Sequence, residues 1–275
     1  MKIGTWDSDS GKVFVIAEAG INHNGSFKLA ADLVIAAALA GANAVKFQWF
    51  NTDALVARRG PAMEALRPYQ FGVQEFLELK AMAEGVGLTF LCSVFDLASA
   101  DAYLALHPAA VKIGSGELRE QALIAHVAQS RLPMILSTGM ATLEDVRAVV
   151  RTRYQESYVW TRLALLHCVS AYPTPLEQVN LRAMDALQEF RCPVGFSDHT
   201  LGTFAASVAV ARGACIIEKH LTMDTRAEGP DHAASADPTQ FKRLVEVIRH
   251  TTLTLGSGEK VPQACEAETM KACGL

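Results

Sequence analysis

The sequence predicts an α/β fold of the (β/α)8 barrel type, in a single domain. Half of the 275 residues are hydrophobic, which is enough for one large α/β core. Apolar runs of strand-like and helix-like period alternate eight times along the chain. Nearly every strand-like run ends in a polar or glycine-rich cluster. Eight such units favour a closed parallel sheet, and polar strand ends favour a catalytic TIM barrel over a purely structural one.

The predicted strands are apolar runs of five or six residues. They span 13–18, 44–48, 88–93, 110–115, 133–138, 163–168, 194–198 and 215–220. The predicted helices span 26–40, 70–85, 97–106, 119–129, 142–153, 180–190, 201–212 and 238–254. Two helices have start signals: Thr142 stands three residues before Asp145, and Asp237 precedes Pro238. We expect a barrel over residues 1–255, with its bottom covered by the N-terminal segment, and a short tail over 256–275.

Charge and cysteine content exclude several classes of partner and location. The net charge is −4 without a long basic run, which predicts neither nucleic acid nor an anionic membrane as a partner. The six cysteines are scattered without a CxxC pair, which favours reduced thiols. The N-terminus lacks the apolar core of a signal peptide, and Asp32 and Gly41 interrupt the apolar run 29–45. We therefore expect a cytoplasmic protein with no membrane span.

Two lysines lie inside otherwise apolar strands. Lys46 and Lys112 would be costly to bury without partners. One interpretation is snorkelling or an internal salt bridge. The interpretation that we favour is an anion clamp at the barrel mouth, where Ser115 and Ser137 would add hydroxyl donors beside small-residue turns.

Two histidines follow neighbouring strands at matched positions. His199 comes after "FSD" and His220 after "EK", so both imidazoles could reach one metal ion, with Glu18 or a water completing its ligands. The alternative is that each is a hydrogen-bonded rim residue. Nitrogen and oxygen donors without thiolate suit Mn²⁺, Mg²⁺, Co²⁺ or Fe²⁺ better than a structural zinc. We assign His232, in the following loop, an orienting role, a substrate-binding role or none.

Carboxylates stand at four strand ends. Glu117, on the open "GSGE" turn, is the best candidate for a general acid or base. Glu18 follows the first strand, and Asp231 lies beyond the last. Asp198 and Glu218 could either orient lysines and histidines or take part in catalysis.

These residues carry a family resemblance. The motifs "AEAGINHNG", "AVKFQ", "KIGSGE", "STGM", "YPTP", "GFSDHT", "EKH" and "GPDHAAS" occur in this order between about residues 12 and 250. The pattern resembles the sialic acid synthase family, which includes N-acetylneuraminate, legionaminate and pseudaminate synthases and the spore coat polysaccharide protein E group. The resemblance implies a transferase that condenses phosphoenolpyruvate with an open-chain aldehyde, an N-acyl hexosamine such as N-acetylmannosamine or a related aldose. The products would be a 2-keto-3-deoxy sugar acid and phosphate, released by C–O cleavage.

The resemblance also implies a set of functional residues. The metal ligands are His199 and His220, with Mn²⁺ the expected ion and Mg²⁺ or Co²⁺ as alternatives. With the candidates above, the expected catalytic residues are Glu18, Glu117, Glu218 and Asp231. The expected substrate-binding residues are Lys46, Gln48, Ser93, Lys112, Ser115, Ser137, Ser170, Tyr172 and Ser197.

The sequence departs from the family pattern in ways that concern the acceptor. Typical members carry a C-terminal antifreeze-like domain that covers the partner's barrel in a homodimer, whereas this sequence ends at Leu275. We expect a homodimer of barrels, with any lid supplied by another chain, or a smaller or non-acylated aldehyde as acceptor. Ser170 and the Ser93–Val94 pair are further departures at the same site. The rival interpretations are another metal-dependent barrel enzyme, a hydrolase or epimerase, and a non-catalytic binding subunit.

Overall fold

Eight parallel strands close into the barrel that the sequence predicts. The computed structural model describes residues 1–153 and 162–275. A short antiparallel hairpin, β1 and β2, precedes the barrel, whose strands follow in the spatial order β10-β3-β4-β5-β6-β7-β8-β9. The strands are β1 (Lys2–Ile3), β2 (Trp6–Asp7), β3 (Phe14–Gly20), β4 (Ala44–Trp49), β5 (Thr89–Val94), β6 (Val111–Ile113), β7 (Met134–Ser137), β8 (Leu163–Cys168), β9 (Val194–Asp198) and β10 (Ile216–His220).

Helices follow the barrel strands. They are α1 (Phe27–Ala40), α2 (Thr52–Arg59), α3 (Val73–Gly85), α4 (Leu97–Leu104), α5 (Gln121–Gln129), α6 (Leu143–Arg153), α7 (Ala183–Leu187), α8 (Phe204–Ala211), α9 (Pro238–Leu255) and α10 (Ala267–Ala272). Both predicted start signals are confirmed: Asp145 N donates to Thr142 Oγ1 at 3.2 Å, and Gln240 N donates to Asp237 Oδ1 at 2.8 Å. Within the two described ranges, no helix is long and apolar enough to cross a membrane.

The structure differs from the prediction at three places. Helix α2 and a 3₁₀ segment (Pro61–Tyr69) fill the stretch between β4 and α3, where we predicted no element. The helix predicted over 180–190 is a short α7 that continues as a 3₁₀ turn (Gln188–Phe190). The tail 256–275 contains α10, which we did not predict. The first difference matters for function because α2 reaches the barrel mouth.

The N-terminal hairpin closes the bottom of the barrel, as predicted. Ile3 and Trp6 are buried against the inward-facing side chains at the start of the strands. The Trp6 ring lies 5.2 Å from that of Phe14, centroid to centroid, and its Nε1 donates to the Lys12 carbonyl at 2.7 Å. The opposite end of the barrel, where the strands finish, is the open one.

Candidate active site

A cavity of about 400 Å³ opens at the C-terminal ends of the barrel strands. Parallel strands in a closed barrel bring their ends to one rim, so residues far apart in sequence meet there. The structure places every predicted site residue in its lining. These are Glu18, Lys46, Gln48, Ser93, Lys112, Ser115, Glu117, Ser137, Ser170, Tyr172, Ser197, His199, Glu218, His220 and Asp231. Their individual roles stay predictions.

Lys46 lies at the floor of this cavity among compensating groups. It is 2% exposed, and its Nζ lies 2.6 Å from Glu18 Oε2 and 3.6 Å from Glu218 Oε2. The same Nζ donates to Ser93 Oγ at 2.6 Å. Burial lowers the pKa of Lys46, but the two carboxylates outweigh burial and raise it overall. Lys46 is therefore a charged ammonium group at neutral pH.

The positive charge of Lys112 is less completely compensated by neighbouring carboxylates than that of Lys46. Its Nζ lies 3.6 Å from Glu218 Oε1 and donates one hydrogen bond of 3.3 Å to the Ile113 carbonyl. Burial lowers the pKa of Lys112, and Lys46 adds to that effect while Glu218 opposes it. A buried cation in this condition is stabilised by an added anion. The floor is therefore suited to an anionic ligand.

Glu218 connects the two lysines. Burial raises the pKa of Glu218, but Lys112 and Lys46 lower it by more, to about 2. Its Oε1 also accepts a hydrogen bond of 3.1 Å from Ser197 Oγ. Glu218 is therefore ionised at neutral pH and holds both ammonium groups in place, which agrees with the orienting interpretation.

Small and hydroxyl residues form the wall next to Lys112. Ser137 Oγ is buried without a hydrogen-bond partner among the described residues. Ser115 Oγ contacts Cys168 Sγ at 3.0 Å and accepts from Gly139 N at 3.0 Å. A Cβ at position 139 would lie 2.8 Å from Ser115 Oγ and closer still to Ser170 Oγ, so only glycine fits there. The wall offers a ligand one free hydroxyl and the close approach of a backbone.

The two histidines lie side by side in the cavity lining, at the ends of the neighbouring strands β9 and β10. Their ring centroids are 5.7 Å apart. His199 Nδ1 lies 2.7 Å from the Val169 carbonyl, which can only accept, so this nitrogen carries the proton and the lone pair of the neutral ring is on Nε2, which lies 3.4 Å from Ser197 Oγ. Burial, with His220 adding to it, lowers the pKa of His199 to about 4. His220 Nδ1 is buried without a hydrogen-bond partner in the described parts of the chain and lies 3.7 Å from Asp231 Oδ2.

This arrangement fits a divalent cation held by two imidazoles. The neutral His199 ring has the tautomer that a metal ligand needs, fixed by a carbonyl behind it. In the described parts of the chain, no group of three or more His, Cys, Asp and Glu side chains is arranged to hold a metal ion. Two protein ligands would therefore leave the remaining positions to substrate or water.

Glu117 is held by two arginines that the sequence did not reveal. The carboxylate is 1% exposed and contacts Arg59 Nη2 directly and Arg58 Nη2 at 3.4 Å. Arg59 also donates to the Gly116 carbonyl at 2.9 Å. Burial raises the pKa of Glu117 to about 7, against the opposing effect of both guanidinium groups. A carboxyl group with this pKa can give or accept a proton near neutral pH.

The outer part of the cavity is aromatic and polar. The Tyr172 ring lies 4.2 Å from that of His199 and 5.8 Å from that of His220, centroid to centroid. Gln48 Nε2 donates to Glu18 Oε1 at 3.2 Å, on the side of Lys46. This part presents an aromatic face and polar side chains to a ligand above the floor.

Two other polar residues lie outside the cavity lining. Asp198 is fully buried and pairs with Lys219 at 2.9 Å, a contact that favours the orienting interpretation over the catalytic one. His232 is also buried, with Nδ1 at 2.6 Å from Thr222 Oγ1 and Nε2 at 3.1 Å from Asn24 Oδ1. His232 therefore ties together two loops at the barrel mouth.

Comparison with known proteins identifies the family of this chain. A family model described as the NeuB family matches residues 33–260. The chain is 43% identical over 266 residues to the N,N'-diacetyllegionaminic acid synthase of Legionella pneumophila, covering 90% of this chain and 75% of that protein. It is 34% identical over 278 residues to a pseudaminic acid synthase of Campylobacter jejuni, covering 94% and 79%.

A solved structure gives the same result. The fold superposes with a TM-score of 0.91 on the N-acetylneuraminic acid (sialic acid) synthetase of Leptospira borgpetersenii, crystallised in complex with citrate. The two are 33% identical, and the match covers 100% of this chain and 96% of that chain. The resemblance predicted from the motifs is thus confirmed. The chain belongs to the NeuB family and is an enzyme of the sialic acid synthase type, a transferase that forms carbon–carbon bonds.

Proposed function

We propose that this enzyme condenses phosphoenolpyruvate with an open-chain sugar aldehyde, giving a 2-keto-3-deoxy sugar acid and phosphate. One observation carries the proposal: the incompletely compensated Lys112 lies in the same cavity as the Ser137 hydroxyl, which has no hydrogen-bond partner within residues 1–153 and 162–275. A buried cation and a buried free donor are both costly without a ligand. A phosphate or carboxylate group supplies what both lack.

The floor would bind phosphoenolpyruvate. Lys46 and Lys112 would neutralise its phosphate and carboxylate groups, and Ser115 and Ser137 would donate from their hydroxyls. Glu218 would keep both ammonium groups in position. The acceptor would occupy the outer part, between Tyr172, Gln48 and Asp231.

The bond changes follow from that placement. The C3 carbon of phosphoenolpyruvate forms a bond to the aldehyde carbon, and the aldehyde oxygen becomes an alkoxide. Glu117, with a pKa near 7, would protonate that oxygen. Positive charge then develops at C2, where the Glu18 carboxylate would stabilise it. Water adds at C2 and gives one proton to a carboxylate, for which Glu18 is the candidate. The new C2 hydroxyl then becomes the keto group: its proton passes to the departing phosphate, and the bond between C2 and the phosphate oxygen breaks, so phosphate leaves with the electron pair.

A divalent cation held by His199 and His220, Mn²⁺ in the first instance and Mg²⁺ or Co²⁺ as alternatives, would polarise the aldehyde oxygen. The His199 ring supports this assignment because the lone pair of its neutral form is on Nε2, and the neighbouring Ser197 hydroxyl donates its proton to Glu218 instead. A homodimer, a separate chain that covers the acceptor and a cytoplasmic location remain predictions.

The direct test is phosphate release from phosphoenolpyruvate with Mn²⁺ across a panel of aldehydes. The panel contains N-acetylmannosamine, other N-acyl hexosamines, unmodified hexoses and pentoses, and short aldehydes, with His220→Ala as the control. We expect release that requires both metal and one class of acceptor. Phosphoenolpyruvate carrying heavy oxygen at the bridging position should transfer that label to phosphate, as C–O cleavage requires.

Each alternative has its own signature in this assay. Phosphate release without any aldehyde would indicate a hydrolase. Release with short or unmodified aldehydes alone would establish a smaller, non-acylated acceptor. If phosphoenolpyruvate does not bind at all, the roles of Lys46 and Lys112 are wrong and the proposed function is wrong with them.

A further inference from the structure

A buried ion pair lies directly behind the two histidines. Asp198 Oδ2 and Lys219 Nζ are 2.9 Å apart, and both side chains are at most 2% exposed. Asp198 immediately precedes His199, Lys219 immediately precedes His220, and the two charged residues are register partners on β9 and β10. Successive side chains of a strand point to opposite faces. The pair therefore occupies the outer face of the barrel wall, opposite the cavity.

Hydrogen bonds extend this pair around His199. Lys219 Nζ donates to the Thr200 carbonyl at 2.6 Å. Asp198 Oδ1 accepts from Thr200 N at 2.9 Å and from Thr200 Oγ1 at 2.7 Å. The His199 carbonyl accepts from Thr174 N at 2.9 Å. The residues on both sides of His199 are thus tied to β10, the strand that carries His220.

Stability alone is a weak reason to bury these charges. The outward-facing neighbours on the same two strands, Val194, Phe196 and Ile217, are apolar and pack against the surrounding helices. Replacing a buried ion pair by apolar residues of similar volume is often neutral or stabilising. Apolar contacts tolerate small sliding movements, whereas charge-assisted hydrogen bonds fix distance and direction. The pair sets the offset between two strand ends.

We propose that Asp198 and Lys219, with Thr200, are positioning residues that hold the His199 and His220 rings at the separation needed to share one divalent cation. None of the three lines the cavity, so they act through the backbone of the histidines that they flank. The nature of the ligand rests on the proposed function, because it assumes that the two imidazoles bind a metal. The positioning itself rests on the contacts of the ion pair.

The experiment compares Mn²⁺ binding, not turnover. Mn²⁺ alone is titrated calorimetrically into the metal-stripped full chain of wild type, Asp198→Leu/Lys219→Met and Thr200→Val. The double variant removes both charges, so neither remains buried and unpaired. We expect its dissociation constant for Mn²⁺ to rise about tenfold or more, as for other residues that support metal ligands. Thr200→Val should show a smaller rise in the same direction.

Thr52→Val is the matched control. Thr52 is fully buried, and its hydroxyl has no hydrogen-bond partner among the described residues. Its loss should leave Mn²⁺ binding unchanged. A double variant that unfolds more easily in urea yet binds Mn²⁺ as wild type does would show that the ion pair is only structural, and would overturn the proposal.

A metal-free measurement keeps the two proposals separable. If wild type and His220→Ala both fail to bind Mn²⁺, the metal part of the proposed function fails. NMR signals of the histidine ring protons in the metal-free chain then decide the positioning. We expect the double variant to shift the signals of His199 and His220 and to leave the exposed His107 and His250 in place. Unshifted signals of His199 and His220 would overturn the proposal.

Discussion

Two levels of the same barrel interior differ in almost every physical property. At the lower level, Ile16 and Leu91 are fully buried in an apolar layer closed by the N-terminal hairpin. Two residues further along the same strands, about 6.6 Å towards the mouth, stand Glu18 and Ser93. The same change from an apolar to a polar residue, two positions further along the strand, occurs on four other strands. The pairs are Ala44 and Lys46, Ala110 and Lys112, Ile135 and Ser137, and Ile216 and Glu218.

The comparison shows how stability and function are divided within one strand. The lower level removes apolar surface from water, which is the main favourable contribution to folding. The upper level buries charges, which is tolerable only because Lys46, Glu18 and Glu218 compensate one another. Substitutions at the two levels should therefore change different measured quantities.

The largest expected effect is at the upper level. Lys112→Met should lower the rate of phosphate release by about 10²–10³-fold, the usual cost of removing one charge-stabilising donor. The free energy of unfolding from urea titration should change little, because burial already disfavours the Lys112 ammonium and Glu218 keeps Lys46 as a partner. Lys80→Met, in the surface pair with Glu84 on α3, is the matched control and should leave both quantities unchanged.

The counterpart at the lower level is Gly195→Ala. A Cβ at this position would lie 2.6 Å from Leu166 Cδ2 and closer still to the Ile216 carbonyl oxygen, so the strands themselves must move. We expect a loss of about 3 kcal/mol in the free energy of unfolding. At saturating Mn²⁺, which offsets a small shift of His199 relative to His220, the folded fraction should keep its rate of phosphate release to within a few fold. Unchanged stability would contradict the division between the two levels.

The pH dependence of stability sharpens the comparison at Glu117. Its folded-state pKa of about 7 lies above the unfolded value near 4.3, so the folded state binds more protons between these limits. Its contribution to stability is therefore lost as pH rises through that window. Glu117→Gln removes this titration. Relative to wild type, the variant should gain up to about 3 kcal/mol between pH 5 and pH 8.

Urea titrations at the two pH values measure this gain. Glu120→Gln is the control, since Glu120 faces the same Arg58 at 3.4 Å but is partly exposed. If Glu120→Gln gains as much free energy of unfolding between the two pH values as Glu117→Gln does, burial of Glu117 is not the cause of the pH dependence.

The smallest expected effect lies outside both levels. Asp237 caps α9 through the Gln240 amide, so Asp237→Ala should lower the free energy of unfolding by about 1 kcal/mol. Phosphate release should not change, and Asp237→Asn, which keeps an acceptor, should restore most of the stability. A larger loss in the free energy of unfolding of Asp237→Ala would show that Asp237 stabilises more of the structure than α9 alone.

The barrel fold and the set of residues that line its cavity could be predicted, because both depend on local sequence patterns. Apolar runs of strand length identify the strands, and barrel closure gathers the polar residues at their ends. Strand alternation could also have placed Asp198 and Lys219 on the outer face, since each adjoins a residue that faces the cavity.

The contact between Arg59 and Glu117 could not be predicted, because it joins residues 58 apart in sequence. An indirect signal existed. The 49–69 stretch between a predicted strand and the next helix is long for a structureless loop. Asn51, whose side chain accepts from Ala54 N at 3.0 Å, is a typical helix N-cap. Both point to an element there, but neither says which carboxylate its arginines would reach.

The hairpin beneath the barrel has a consequence for the order of events in catalysis. Ile3 and Trp6 pack across the bottom of the barrel, so the cavity is closed at that end and opens at the loops that follow the strands, like a well. In a well of this kind, the molecule that occupies the deepest position must enter before the one above it and must leave after it. A ligand on Lys46 and Lys112 would therefore be first in and last out, and the kinetic sequence of the enzyme would follow from a short hairpin that touches no substrate.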